Sequence, residues 1–244
     1  MTIETIKRGT HMNTFKTLGL AAVLLLGTSE AQARNPNPGI VPPDHSFHGM
    51  TYAQWSAELM QWGLGIPVGV DGGHPGPDTT GEFADLDQSG PVWFLALNLS
   101  GYETVTRTVT VPSDKFLFVP IINNISVPGP YAPEDMTLAR ERYWTETDLD
   151  SMISLSTFWC EIDGVRVSDL ESYATSTALG EEYYVSFPDN NIWGFPAGRY
   201  GPSLNGGIYL LLRPLSPGEH TIEIFAMDPT AGTTSDLTYE LTIE

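Results

Sequence analysis

From Val92 onward the apolar residues recur at every second position or in short unbroken runs, and a chain patterned this way builds sheets rather than helix bundles. Thr104–Val111 alternates, with Val105, Val109 and Val111 on one face and Thr104, Thr106, Thr108 and Thr110 on the other. Residues 92–97 and 116–122 are continuous apolar runs, the pattern of strands covered on both faces. Further strands are expected over 158–162, 165–167, 183–187, 208–212, 220–226 and 237–243, with Asp163-Gly164 as a two-residue hairpin turn. The 24 Gly and 19 Pro supply turns between short elements. The expected fold is mainly β: an antiparallel β-sandwich, jelly-roll or Ig-like, with one or two short helices packed at an edge. It occupies residues 50–244 as a single domain.

Two helices are readable. Thr51 with Gln54 three residues on forms a capping box, and Tyr52, Trp55, Leu59 and Trp62 make one stripe before Gly63, Gly65 and Pro67 end it, giving a helix near 51–63. Aromatics at this spacing are expected in the core. Pro133 with Glu134 and Asp135 opens a second helix expected to reach Trp144. Residues 34–49 hold four prolines and read as an extended arm. Residues 68–90 form a loop rich in Gly, Pro and Asp.

Lys16, an apolar run of about nine residues from Leu18 to Leu26, and Ala31-Gln-Ala33 follow in the order of a secretory signal peptide. The run is too short for ~30 Å of bilayer. Cleavage is expected after Ala33, Met1 to His11 read as an upstream extension, and the mature protein is expected in the periplasm or outside the cell. No other apolar run approaches a membrane span. With Cys160 as the single cysteine, an intrachain disulfide is ruled out and stability must come from packing. Alternation puts Phe158, Cys160 and Ile162 on one face, so the thiol is expected to be buried and inert.

The 30 Asp and Glu against 11 Lys and Arg, a formal net charge of -19, exclude the basic stripe that a nucleic-acid backbone or an anionic membrane surface requires. They favour cations and uncharged partners. Three chemistries remain. Asp71, Asp78, Glu82, Asp85 and Asp87 place five carboxylates on one Gly-rich loop, a donor set suited to calcium; an acidic loop without an ion is the alternative. His45 and His48, with Asp44 and His74, offer imidazoles for zinc or copper. His220 reads as a turn or rim residue. Trp193, Phe195, Arg199 and Tyr200 set flat aromatics beside a planar guanidinium, as a sugar site does; the alternative is a loop whose aromatics cover the sandwich end. Gly-x-Ser-x-Gly, His-Glu-x-x-His and phosphate-loop sequences are absent, and a glycosidase-like carboxylate pair has no local spacing to read.

Tyr52-x-x-Trp55-Ser56 with Gln61-Trp62 and Ile66-Pro67, Gln88-Ser-Gly-Pro-Val-Trp-Phe-Leu95, Thr110-Val-Pro112 with Lys115-x-Leu-Phe118-x-Pro-Ile-Ile-Asn123, and Pro214-Leu-x-Pro-Gly-x-His-Thr-Ile222 together resemble segments of a widespread group of secreted bacterial proteins. The resemblance implies export and a shared β-rich fold, and the group has no assigned activity to carry onto these residues. The leading expectation is an exported, acidic, non-catalytic protein that binds glycan or cell-envelope material. The alternatives are a polysaccharide hydrolase or lyase with a carboxylate pair, and a structural envelope component.

Overall fold

The strands sort into two sheets in the computed structural model, which describes residues 37, 39–69, 72–101, 104–130, 137–229 and 232–244. In the first sheet β1 (Val92–Phe94) pairs with β3 (Phe116–Ser126), and β3 with β8 (Gly198–Leu212). β8 also pairs with β6 (Ala174–Ser176) and β7 (Tyr183–Phe187). The second sheet runs β2 (Thr104–Val111), β10 (Thr233–Ile243), β9 (Gly218–Asp228), β4 (Thr157–Ile162), β5 (Val165–Arg166). The sandwich with helices forms as its patterning implies, with two differences of detail. Both sheets are mixed, because β1 and β3 flank a strand of the other sheet and run parallel, and the last strand, β10, lies parallel to β2. Alternation reports which face is buried and carries no information on strand direction, so these pairs were not readable.

The second difference is the place of the first helix. α1 (Tyr52–Gly65) starts at the expected box: Gln54 N donates to Thr51 Oγ1 at 3.2 Å and Thr51 N donates to Gln54 Oε1 at 2.9 Å. Its stripe covers the outer face of the first sheet rather than an edge. Trp55 and Trp62 lie 6.3 and 5.6 Å from Phe94, Tyr52 lies 6.1 Å from Phe118, and Phe118 stacks on Tyr209 at 5.4 Å. The opposite face, with Leu117, Val119, Leu210 and Leu212, is buried with Ile222, Ile224, Leu241 and Ile243 of the second sheet in one core. Cys160 is fully buried there, and burial pushes its thiol up to about 12, as expected of an inert thiol.

α2 (Leu138–Leu155) is capped by Thr137, whose hydroxyl accepts from Arg140 N, and continues well past Trp144 before leading into β4. Its expected start at Pro133, with Glu134 and Asp135, lies outside the described residues, as do the signal segment and the proposed Arg34 start. Among the described residues no helix is long and apolar enough to cross a membrane.

Candidate functional site at the β7–β8 hairpin

β7 alternates, with Tyr183, Val185 and Phe187 buried and Tyr184 and Ser186 turned out, and it pairs with the start of β8 through Val185↔Tyr200, Ser186↔Arg199 and Phe187↔Gly198. The connecting loop is built around the buried Asn191. Its amide donates to the carbonyls of Pro188 (2.8 Å) and Phe195 (2.7 Å), and its oxygen accepts from the Trp193 and Phe195 amides at 3.2 and 3.0 Å. Asn190 ties the loop to the segment after α1: its side chain donates to the Val68 carbonyl, and Val68 N donates back to Asn190 O. A loop whose backbone polar groups are satisfied internally keeps its shape without a ligand.

Around this frame the aromatics gather on Phe187. Trp193, Phe195 and Tyr200 lie 5.5, 5.2 and 5.6 Å from its ring, and the Tyr200 hydroxyl donates to Pro196 O at 2.9 Å. Phe195 also lies where a Cβ on Gly129 would stand, so that glycine lets the ring seat against the chain leaving β3. Trp193 is 37% exposed and is the member of the cluster most open to solvent. Of the four residues expected here, the structure brings Trp193, Phe195 and Tyr200 together and separates Arg199. Successive β8 residues face opposite ways, so Arg199 points to the other side, where its guanidinium stacks 3.9 Å from the ring of Tyr184. Tyr184, 41% exposed, was missed by sequence reasoning, although its outward place in the β7 alternation marks it.

The described part of the acidic loop is organised by a buried cation, Arg107. Arg107 occupies the one inward position of β2 that the valine pattern skips, and it is 1% exposed. Its guanidinium donates to the carbonyls of Asp78, Ala96 and Gly76 at 2.8 Å each, to Leu97 O at 3.3 Å, and to the Tyr239 hydroxyl at 2.6 Å. Asp78 spends its carboxylate inside the loop, accepting from Thr80 N, Thr80 Oγ1 and Phe83 N. Burial alone raises its pKa, and these hydrogen bonds, with the Arg107 charge, outweigh burial and lower it. Thr108 N donates to Thr80 O, and Gly81 lies so close to Thr108 that any Cβ would collide; the loop thus covers the edge of the second sheet. Glu82, Asp85 and Asp87 are exposed, and Asp71 lies outside the described residues. Among the described residues no three His, Cys, Asp or Glu side chains converge to hold a metal ion.

Three of the described histidines likewise have hydrogen-bond partners within the chain. His74, 2% exposed, bridges the Gly63 carbonyl (3.0 Å) and the Gly76 amide (3.0 Å), so its outer nitrogen donates and its inner one accepts, and burial lowers its pKa. His45 pairs with its neighbour Asp44 at 2.8 Å on the surface. His220 has Nδ1 2.8 Å from Asp163 Oδ2, and Nε2 2.9 Å from Ser216 O and 3.3 Å from Ser216 Oγ. The order Ser, His, Asp matches a nucleophile, its base and an orienting acid. The nearer partner of Nε2, however, is a carbonyl, which demands an N–H. When protonated, the ring donates on both sides, to Asp163 Oδ2 and to Ser216 O. It works as a clamp on the Asp163-Gly164 turn, where Thr221 N also donates to Asp163 Oδ1 at 2.9 Å.

No family model and no curated protein matches the chain. Among solved structures it is similar to a cysteine protease inhibitor from Entamoeba histolytica, at 13% identity and a TM-score of 0.21, over 58% of this chain and 94% of that one. A superposition that loose carries no argument about function.

Proposed function

We propose that the protein is an exported binding protein, without catalysis, that takes a neutral glycan or similar hydroxyl-rich envelope polymer on the β7–β8 hairpin. The observation that carries this reading is the partly exposed Trp193 ring, packed on Phe195 in a loop already locked by Asn191. A rigid aromatic face stacks on the C–H face of a sugar ring at small entropic cost. The net charge of -19 disfavours anionic polysaccharides. Export rests on the segment from Met12 to Ala33.

A glycan array with the exported protein tests the reading. Binding to neutral glycans, competed by the free sugar and weakened about tenfold or more by Trp193→Ala, is the expected result. An array with no neutral ligand, or one on which only anionic glycans respond, overturns it.

A further inference from the structure

α2 turns an unusual face to the protein. Its buried positions are Glu141, Thr145 and Leu149, a polar start to a stripe that a surface helix normally fills with aliphatic side chains. Glu141 is 5% exposed, and among the described residues its carboxyl has one hydrogen-bond partner, the Ser126 hydroxyl at 3.3 Å. An apolar residue there would bury surface without desolvating a carboxyl, so the acid is kept at an energetic cost.

Beside Glu141 a pocket of about 190 Å³ opens between α2 and the end of β3, with Asn124, Ser126, Trp144 and Asp148 also in its lining. Trp144 stands three residues after Glu141 and four before Asp148, so one helix face presents the ring between the two acids. The ring is 47% exposed. Two of the donors in the lining are engaged. Ser126 donates to Glu141, and Asn124 donates to Thr145 O at 3.0 Å while its oxygen accepts from Gly206 N. The pocket offers two carboxyl groups, an indole ring with its N–H and the Thr145 hydroxyl, and none of its lining residues is basic. With two carboxyl groups and no basic residue, the lining suits a cation better than a neutral sugar.

We infer that this pocket is a site for an organic cation, an alkylammonium or guanidinium group seated against Trp144 with its N–H groups on Glu141 and Asp148. Charge-assisted hydrogen bonds and a cation over an indole are the two interactions the lining supplies. The group belongs either to a small amine or to a Lys or Arg side chain of a partner protein. This site does not depend on the hairpin reading.

The test is an NMR titration of the full chain with n-butylammonium, n-butylguanidinium, a pentalysine peptide and, as the neutral control, glucose, following the Trp144 indole N–H. A saturable shift with the cations and none with glucose is expected. Asp148→Asn, on the surface, and Glu141→Gln are each expected to weaken binding tenfold or more, while Asp114→Asn, elsewhere on the acidic surface, leaves it unchanged. Tighter binding of butylammonium than of pentalysine assigns a free amine, and the reverse assigns a partner side chain. No shift with any cation, or equal weakening by Asp114→Asn, overturns the inference. Urea midpoints on the same variants confirm that they are folded.

Discussion

Replacing Arg107 by Met asks what one buried cation does for a loop of mostly irregular chain. The guanidinium has five acceptors, four carbonyls and the Tyr239 hydroxyl, and among the described residues no carboxylate faces it in an ion pair. Tyr239 keeps a bond of its own to Ala96 O at 2.6 Å and Gly76 O keeps the Leu99 amide at 3.0 Å, so the groups stranded by the substitution are chiefly the carbonyls of Asp78 and Leu97. A buried polar group left without a partner costs about 1–3 kcal/mol. Water entering from the loop side recovers part of this, and removing the desolvated charge recovers more, so the expected net loss is about 2–4 kcal/mol. That is a large share of the roughly 5–15 kcal/mol of a typical domain. Arg107→Lys keeps the charge but has three donors on one atom instead of a planar fork, and is expected to lose about 2 kcal/mol. Urea unfolding measures both, and hydrogen exchange should show the loop over 72–90 opening before the sheets do. A loss below about 1 kcal/mol for the Met variant would refute the role given to Arg107.

Asn191→Ala removes four loop hydrogen bonds and should cost about 1–3 kcal/mol in urea unfolding while broadening the Trp193 indole signal by NMR; an unchanged midpoint and a sharp signal would count against a frame built on Asn191. The His220 clamp has a defined pH window. Burial alone lowers the His220 pKa, but its bonds to Asp163 and to Ser216 O raise it, so its contribution is complete below about pH 6.5 and is lost as pH rises through the raised folded value. Burial raises the Asp163 pKa and its bonds from His220 and Thr221 lower it, so that contribution is present above about pH 4 and is lost on acidification. Wild type should therefore exceed His220→Gln most between roughly pH 4 and 6.5, and a gap that grows with pH contradicts the clamp. Cys160, buried with its thiol pushed up to about 12, should resist alkylation at neutral pH until the protein unfolds; rapid labelling of native protein would show the thiol accessible.

Much of the sandwich is legible where burial follows a period. Thr104–Val111 shows strict alternation of exposed and buried residues, the Asp163-Gly164 turn joins β4 to β5, and the box at Thr51 starts α1. Arg107 escaped because a charged residue at an inward position breaks the apolar pattern, and only the structure shows the carbonyls that satisfy it. α2 extends past Trp144 unannounced because its buried face, Glu141, Thr145 and Leu149, has no apolar stripe. β8 begins ten residues before the expected strand at 208, since Gly198, Gly201, Gly206 and Gly207 give no alternation to read. At the hairpin the aromatic cluster was legible from composition. The separation of Arg199 from Tyr200 follows from strand geometry once β8 is known to start at Gly198.

Paired measurement of folding stability and glycan affinity on Trp193→Ala tests the central claim most directly. Because the ring is 37% exposed and its recorded ring contacts are Phe187 and Phe195, truncation should cost only about 1–2 kcal/mol of folding stability, less than the roughly 3–5 kcal/mol expected for the buried Phe187→Ala. If Trp193 is a recognition surface, neutral-glycan affinity falls tenfold or more while the urea midpoint moves little. Loss of about 3–5 kcal/mol of stability with undiminished affinity would show that Trp193 only caps the sandwich end, and would contradict the account.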